Sequence, residues 1–329
     1  MKALRTLFDN FTLALLAVML AAVLAPAQGH WAGFFQILTQ LGIGLLFFFH
    51  GAKLSPQAVR SGAGHWRLHG VVFFCTFVMF PLLGLALKPV LAPLLGSELY
   101  MGVLYLCALP ATVQSAIAFT SIARGNVPAA ICSAAASSLI GIFLTPMLVL
   151  VLMGVEGATA GLDAVLNLSM QLLLPFMLGQ LARRWIAGWV SRHLAWVKAS
   201  DQGSILLVVY TAFSQATLSG LWKSVPLPNL LILAAVCCVL LALVLWLTHA
   251  VARRLGFDLE DRITILFAGS KKSMATGVPM AQILFTGAAV GAVILPLMIF
   301  HQLQLMVCAI LAQRYAQRAE DPAVALRAQ

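Results

Sequence analysis

The sequence predicts an all-α polytopic membrane protein of ten transmembrane helices, arranged as two inverted five-helix repeats with the fourth and ninth helices broken. Three observations predict it. Of 329 residues, 62% are hydrophobic and only 9% are charged, with a mean hydropathy of +0.99. A soluble domain has no use for so much apolar surface, whereas a bilayer accepts it. The basic residues fall in alternate loops. Finally, apolar stretches at matching places of the two halves are interrupted by Gly- or Pro-containing polar runs.

Taken in order, the predicted spans lie at about 11–25, 34–50, 68–87, 100–123, 129–154, 162–187, 205–220, 230–250, 262–285 and 290–313. The first follows Lys2 and Arg5 and ends in Ala25-Pro26-Ala27, a pattern shared with signal peptides. A retained helix is preferred, because it makes the two halves of the chain match. Pro89 and Pro93, and later Pro226 and Pro228, mark short connecting loops. Ala123-Arg124-Gly125-Asn126 reads as a tight turn. The chain divides into residues 1–154 and 155–329, with no linker and no room for a soluble domain.

Charge fixes the expected orientation. With a cytoplasmic N-terminus, 16 of the 20 basic residues fall on one face: Lys2, Arg5, Lys53, Arg60, Arg67, Arg124, Arg183, Arg184, Arg192, Lys198, Arg253, Arg254, Arg262, Arg314, Arg318 and Arg327. The other face keeps Lys88 and Lys223, and Lys271 and Lys272 lie inside a span. This asymmetry follows the positive-inside rule, with both termini cytoplasmic. It also accounts for the net charge of +10 without any nucleic-acid partner. The six cysteines sit singly in apolar segments or side by side, with no CxxC or Cys/His spacing, so they read as reduced and buried.

A ten-span chain built from two five-span units must invert the second unit in the membrane. Span four is interrupted at Leu109-Pro110-Ala111-Thr112-Val113-Gln114-Ser115, and span nine at Gly269-Ser270-Lys271-Lys272-Ser273 through Thr276 and Gly277. Matched interruptions of this kind point to the binding site of an inverted-repeat carrier. An ammonium at bilayer depth costs at least ~2.5–3.5 kcal/mol on insertion scales, so Lys271 and Lys272 need compensation. All ten acidic residues, Asp201 among them, are expected in termini or loops. Lysines without a carboxylate suit an anion better than a sodium ion.

The run Gly269-Ser270-Lys271-Lys272-Ser273-Met274-Ala275-Thr276-Gly277-Val278-Pro279-Met280, with Ala123-Arg124-Gly125-Asn126 and Thr76-Phe77-Val78-Met79-Phe80-Pro81, resembles the bile acid:sodium symporter family. The likeness is to its SBF-like branch of bacterial proteins and vertebrate solute carrier family 10 member 7. The resemblance implies a panel and a core domain, each drawing on both repeats. In the core, the broken fourth and ninth helices cross beside the substrate and ion sites. It also exposes departures from the sodium-coupled members. Thr76 stands at a glutamine, Ala130 and Ala134 at fifth-helix ligands, Phe267 at a glutamate and Lys271 at a glutamine. The sodium site is therefore expected to be dismantled, with a lysine replacing sodium's charge or carrying a proton.

The expected site comprises Lys271, Lys272, Ser270, Ser273, Thr276, Gln114, Ser115, Thr76, Gln215 and His301. Each also has a plainer reading: polar groups in membrane helices often serve only to bond neighbouring helices. His301, beside Gln302 and Gln304, is read as a packing histidine or a proton carrier; His50 is read as interfacial. The expected partners are a small organic anion and membrane lipids. No cofactor or structural metal is expected, Na+ or H+ is the expected coupling ion, and no feature specifies an oligomeric state. The expected membrane is the bacterial cytoplasmic (inner) membrane. The alternatives are a sodium-coupled symporter using other ligands, a channel, and an intramembrane Ser–Lys hydrolase. A phosphate loop is excluded, because the first glycine of that motif and a βαβ unit are both missing.

Overall fold

In the computed structural model the described residues are 10–53, 64–153, 162–218, 220, 227–285 and 289–318, and all their regular structure is helical. The expected junction at 154/155 lies outside them. So do Lys2, Arg5, Arg60, Lys223, Arg327 and the acidic residues Asp9, Glu156, Glu320 and Asp321.

The helices are α1 (Asn10–Leu24), α2 (His30–Lys53), α3 (Trp66–Ala86), α4 (Lys88–Ala108), α5 (Val113–Ile122) and α6 (Val127–Met153). They continue with α7 (Leu162–Arg192), α8 (Leu194–Leu218), α9 (Leu227–Arg254), α10 (Leu259–Gly269), α11 (Met274–Leu284) and α12 (Ala289–Ala316). Six of these, α2, α3, α4, α6, α9 and α12, are long and apolar enough to cross a membrane. Large apolar side chains face outward, Leu24 at 74% and Trp246 at 65% exposure among them. The molecule is a polytopic membrane protein, all-helical among the described residues.

Three local features depart from the sequence reading. The stretch expected as a loop around Pro89 and Pro93 is helical. Pro89 sits in the first turn, where a missing N–H costs nothing, and Gly96 kinks the helix at φ 76°. Helix α8 starts well before the expected span at 205, so Asp201 lies within it and is buried. Glu98 likewise lies inside α4, Asp163 in the first turn of α7, and Glu260 and Asp261 in the first turn of α10. The expectation that every acidic residue occupies a loop or terminus is thus wrong. Asp201 tolerates burial because Lys53 of α2 bonds it.

Ala123-Arg124-Gly125-Asn126 forms the turn between α5 and α6, with Arg124 in the left-handed region (φ 56°). Asn126 caps α6 by accepting from Ala129 N–H at 3.1 Å, and its amide donates to Asp261 of α10 at 2.9 Å. Arg318 donates to Ala123 O at 2.9 Å and Arg124 O at 3.0 Å, placing a cation on the negative end of α5.

Helix α2 packs along α7 and α8, and α8 along α1. The remaining helices pack among themselves, α12 against α4 and α9, and α10 against α3, α5 and α9. The two groups meet where α7 touches α6 and where α8 touches α11 and α12. The α2–α7 contact is backbone to backbone: a Cβ on Gly51 would run into Phe176 O, and one on Gly179 into Phe48 O. Small residues let membrane helices approach this closely. Gly51→Ala and Gly179→Ala should each cost about 1–3 kcal/mol by overpacking. Thermal unfolding of the purified variants checks this, and unchanged melting temperatures would show that the helices can separate freely.

Candidate functional site

The site is organised by backbone groups that helical geometry leaves open. In α3 a single wide turn, Cys75–Met79, shifts the ladder so that Phe80 N–H bonds Cys75 O. The next bond in that register needs an N–H at position 81, and Pro81 has none. The Thr76 carbonyl is therefore left open. Helix α4 ends at Ala108 because Pro110 withholds its donor and forces Leu109 into an extended conformation (φ −73°, ψ 154°). The carbonyls of Cys107, Ala108, Leu109 and Pro110 then lack helical partners.

Each of these carbonyls finds a donor elsewhere. Lys272 Nζ donates to Thr76 O at 2.8 Å, Cys107 O at 2.8 Å and Leu109 O at 2.7 Å, using all three of its hydrogens. Thr145 Oγ1 of α6 donates to Ala108 O at 2.9 Å, and Ser273 N–H donates to Pro110 O at 3.0 Å. Ala111 N–H donates to Ser137 Oγ of α6 at 3.0 Å. The Phe80 ring centroid lies 4.1 Å from the ammonium. Hydrogen bonds to a charged group contribute about 1.5–3 kcal/mol each, and a cation at a helix C-terminus is favoured further.

The second break, between α10 and α11, is held just as fully. Gln304 of α12 accepts from Lys272 N–H and donates to Lys272 O, both at 2.9 Å. Thr112 Oγ1 also donates to Lys272 O, at 2.8 Å. Ser273 caps α11 by accepting from Thr276 N–H at 3.3 Å. Tyr105 OH of α4 donates to Gly277 O at 2.6 Å. The two breaks are thus bonded directly to each other.

Lys271 is held differently. Its Nζ donates to Ser115 O at 3.1 Å and lies 3.6 Å from the Phe119 ring centroid, with Phe267 farther away at 5.6 Å. Both lysines are fully buried. Ser270 donates back to Leu266 O within its own helix. With Ser273 engaged as a cap, a Ser–Lys catalytic dyad is not formed. Thr76 contributes its carbonyl to Lys272, while its hydroxyl donates to Val72 O at 2.8 Å.

A cleft runs between the two helix groups. One chamber, of about 270 Å³, is apolar, with Phe47, Ile117, Ile131, Ile142 and Phe176 in its wall. An adjoining chamber of about 200 Å³ is the more polar of the two and includes His50, Ser115, Lys198, Asp201, Ser273 and His301. Gln114, Ser138, His50 and Thr276 line both. The hydroxyls of Ser115, Ser138 and Thr276 are buried and have no hydrogen-bond partner among the described residues.

Of the sequence-predicted site residues, this cleft gathers Gln114, Ser115, Ser273, Thr276 and His301. Lys271 and Lys272 line neither chamber, pointing instead into the helices behind them. Gln215, half-buried on α8, also lies outside both chambers. His301 Nδ1 accepts from Gln304 Nε2 at 2.9 Å. That nitrogen is fixed as the donor by its bond to Lys272 O, so the bond requires a proton-free Nδ1. The sequence reading missed Lys53, Asp201 and His50 as cleft residues, and Thr112 and Gln304 as supports of the breaks. Among the described residues no three His, Cys, Asp or Glu side chains cluster as a metal site.

Comparison with known proteins finds relatives along nearly the whole chain. The chain is 64% identical over 323 residues to the "Uncharacterized protein PA2026" of Pseudomonas aeruginosa, covering 98% of this chain and 97% of that protein. It is 56% identical over 324 residues to the "Putative symporter YfeH" of Escherichia coli, covering 98% and 96%. A more distant relative, the "Sodium/bile acid cotransporter 7-B" of Xenopus laevis, is 27% identical over 315 residues, covering 92% and 90%. Residues 9–317 match the SBF-like CPA transporter family. The chain belongs to that family, and it is a transporter-like membrane protein.

Proposed function

We propose that this protein is a secondary carrier that moves a small or amphipathic organic anion by alternating access, without a bound sodium ion. The observation that carries this reading is the cleft beside the paired breaks. It joins an apolar chamber to a polar one with unpartnered hydroxyls, and Lys53 and Lys198 contribute to its walls. An anion with a hydrocarbon body matches both surfaces.

The ten-span, inverted-repeat arrangement belongs to the same proposal. Helices α1 and α2 correspond to α7 and α8, α3 to α9, the broken pair α4–α5 to α10–α11, and α6 to α12. The group α1, α2, α7 and α8 then serves as a panel and the remaining helices as a core, each built from both halves. The basic-residue asymmetry supports both termini inside, and the short loops and the bacterial relatives support a bacterial cytoplasmic membrane.

Sodium independence rests on Lys272. Its ammonium occupies a set of three backbone carbonyls at the crossing, the kind of oxygen cage a small monovalent cation would take. A sodium-coupled reading would draw instead on the oxygens of Ser115, Ser138 and Thr276, which are unpartnered.

Two experiments test these points. Reconstituted protein should accumulate or exchange members of a labelled organic-anion panel equally well with sodium or choline outside. It should show saturation and counterflow, and Lys271→Gln or Lys272→Gln should depress the rate. Strict sodium dependence with indifferent lysines would sink the proposal, and non-saturating flux would favour a channel. Lys272→Ala should lower the melting temperature markedly, since each stripped carbonyl costs about 1–3 kcal/mol. Sodium or methylammonium should restore part of that loss in the variant while leaving wild type unchanged. No restoration by either cation would show that the carbonyls do not form a cation site.

A further inference from the structure

Lys53 and Asp201 face each other across α2 and α8 at the cleft, bonded Nζ to Oδ2. Three details set this ion pair apart from a structural bridge. The Asp201 side chain is 7% exposed, yet its second oxygen, Oδ1, is buried with no hydrogen-bond partner among the described residues. A buried carboxylate that is only half satisfied is poorly stabilised. Lys53 is 26% exposed and lines the apolar chamber, while Asp201 lines the polar one. The ammonium therefore stands where the two surfaces join. Among the described residues Asp201 is its one hydrogen-bond acceptor, which leaves further donors on Nζ.

The surroundings favour an added negative charge. Lys198 lies one helical turn before Asp201 on α8 and lines the same chamber, as do His50 of α2 and His301 of α12. The formal balance of Lys53, Lys198 and Asp201 is one excess positive charge. Neither Lys271 nor Lys272 is available to a ligand here, since both are fully buried and bonded to backbone carbonyls.

We propose that Lys53 is the anion-docking group of the cleft, that Asp201 occupies it in the empty protein, and that an entering carboxylate displaces Asp201 from it. The ligand's hydrocarbon body then lies in the chamber walled by Phe47, Ile117, Ile142 and Phe176, and the freed Asp201 has Lys198 within its own helix turn. No covalent step is involved; one carboxylate replaces another on the same ammonium. This rests on the anion-carrier reading and adds to it a named docking residue and an internal competitor.

Two outcomes distinguish this role from a structural one. Loss of a structural pair would weaken the protein from either side. Loss of a competitor should improve ligand binding. The test is equilibrium binding of labelled decanoate to full-length protein in lipid nanodiscs, corrected for empty discs, with decyltrimethylammonium as the cationic control. Wild type should bind decanoate and not the cation. Asp201→Asn should bind decanoate several-fold more tightly. Lys53→Gln should weaken binding about tenfold or more, the loss expected for one charge-assisted hydrogen bond, and Lys53→Arg should retain most of it. Lys53→Gln leaves Asp201 unpaired and risks misfolding, so the neutral double variant Lys53→Gln/Asp201→Asn is the decisive comparison. It should match the single Lys53→Gln loss. Binding by a folded double variant within twofold of wild type, or weaker binding by Asp201→Asn, overturns the docking assignment while leaving the anion site standing. No decanoate binding by wild type overturns the anion site and the docking assignment together.

Discussion

The structure depends on one constraint: a helix broken among apolar surroundings must find partners for the backbone groups it releases. Two breaks meet here, and between them they free more carbonyls than N–H groups. Carbonyls need donors, and a lysine ammonium supplies three from one atom. Lys272 spends all three on Thr76, Cys107 and Leu109. A residue costly to insert into hydrocarbon is thereby made the joint of α3, α4 and α10–α11. The conversion works because Pro81 and Pro110 open acceptors on two different helices within reach of the same side chain.

The crossing also ties one group of helices together. Around it, α4, α6 and α12 each contribute a polar side chain to the other helices' backbone: Tyr105, Ser137 with Thr145, and Gln304. The group α1, α2, α7 and α8 is held together separately, by the close Gly51 and Gly179 contacts. Fewer helices join one group to the other, and the cleft lies along that seam. On the proposed carrier reading, the two groups rock against each other along this seam while the hydrogen bonds within each stay intact.

Much of this was legible in the sequence. Pro110 and the run from Gly269 to Gly277 announced the breaks, because proline and glycine act on the backbone wherever they stand. The insertion cost of two adjacent lysines marked the stretch where the second break lies. Their orientation was not legible, because their partners are backbone carbonyls, and a carbonyl has no signature in side-chain letters. The wide turn in α3 was equally silent, although Pro81 marked its edge. Asp201 was misplaced because Lys198, Ser200, Asp201 and Gln202 form a polar run that reads as loop. Its helical, buried position depends on Lys53, 148 residues away, and pairing over that separation leaves no local trace. Gln304 was visible only as a neighbour of His301 and Gln302 on α12.

The tether on Lys272 has a thermodynamic side. A free cation bound at the crossing could enter from one compartment and leave to the other, converting its own electrochemical gradient into work. A cation attached to the chain never leaves, so it has no chemical potential difference to spend. Its attachment to the crossing does not depend on the external salt composition. On the proposed carrier reading, uphill movement is powered by a species other than a sodium ion held at this crossing.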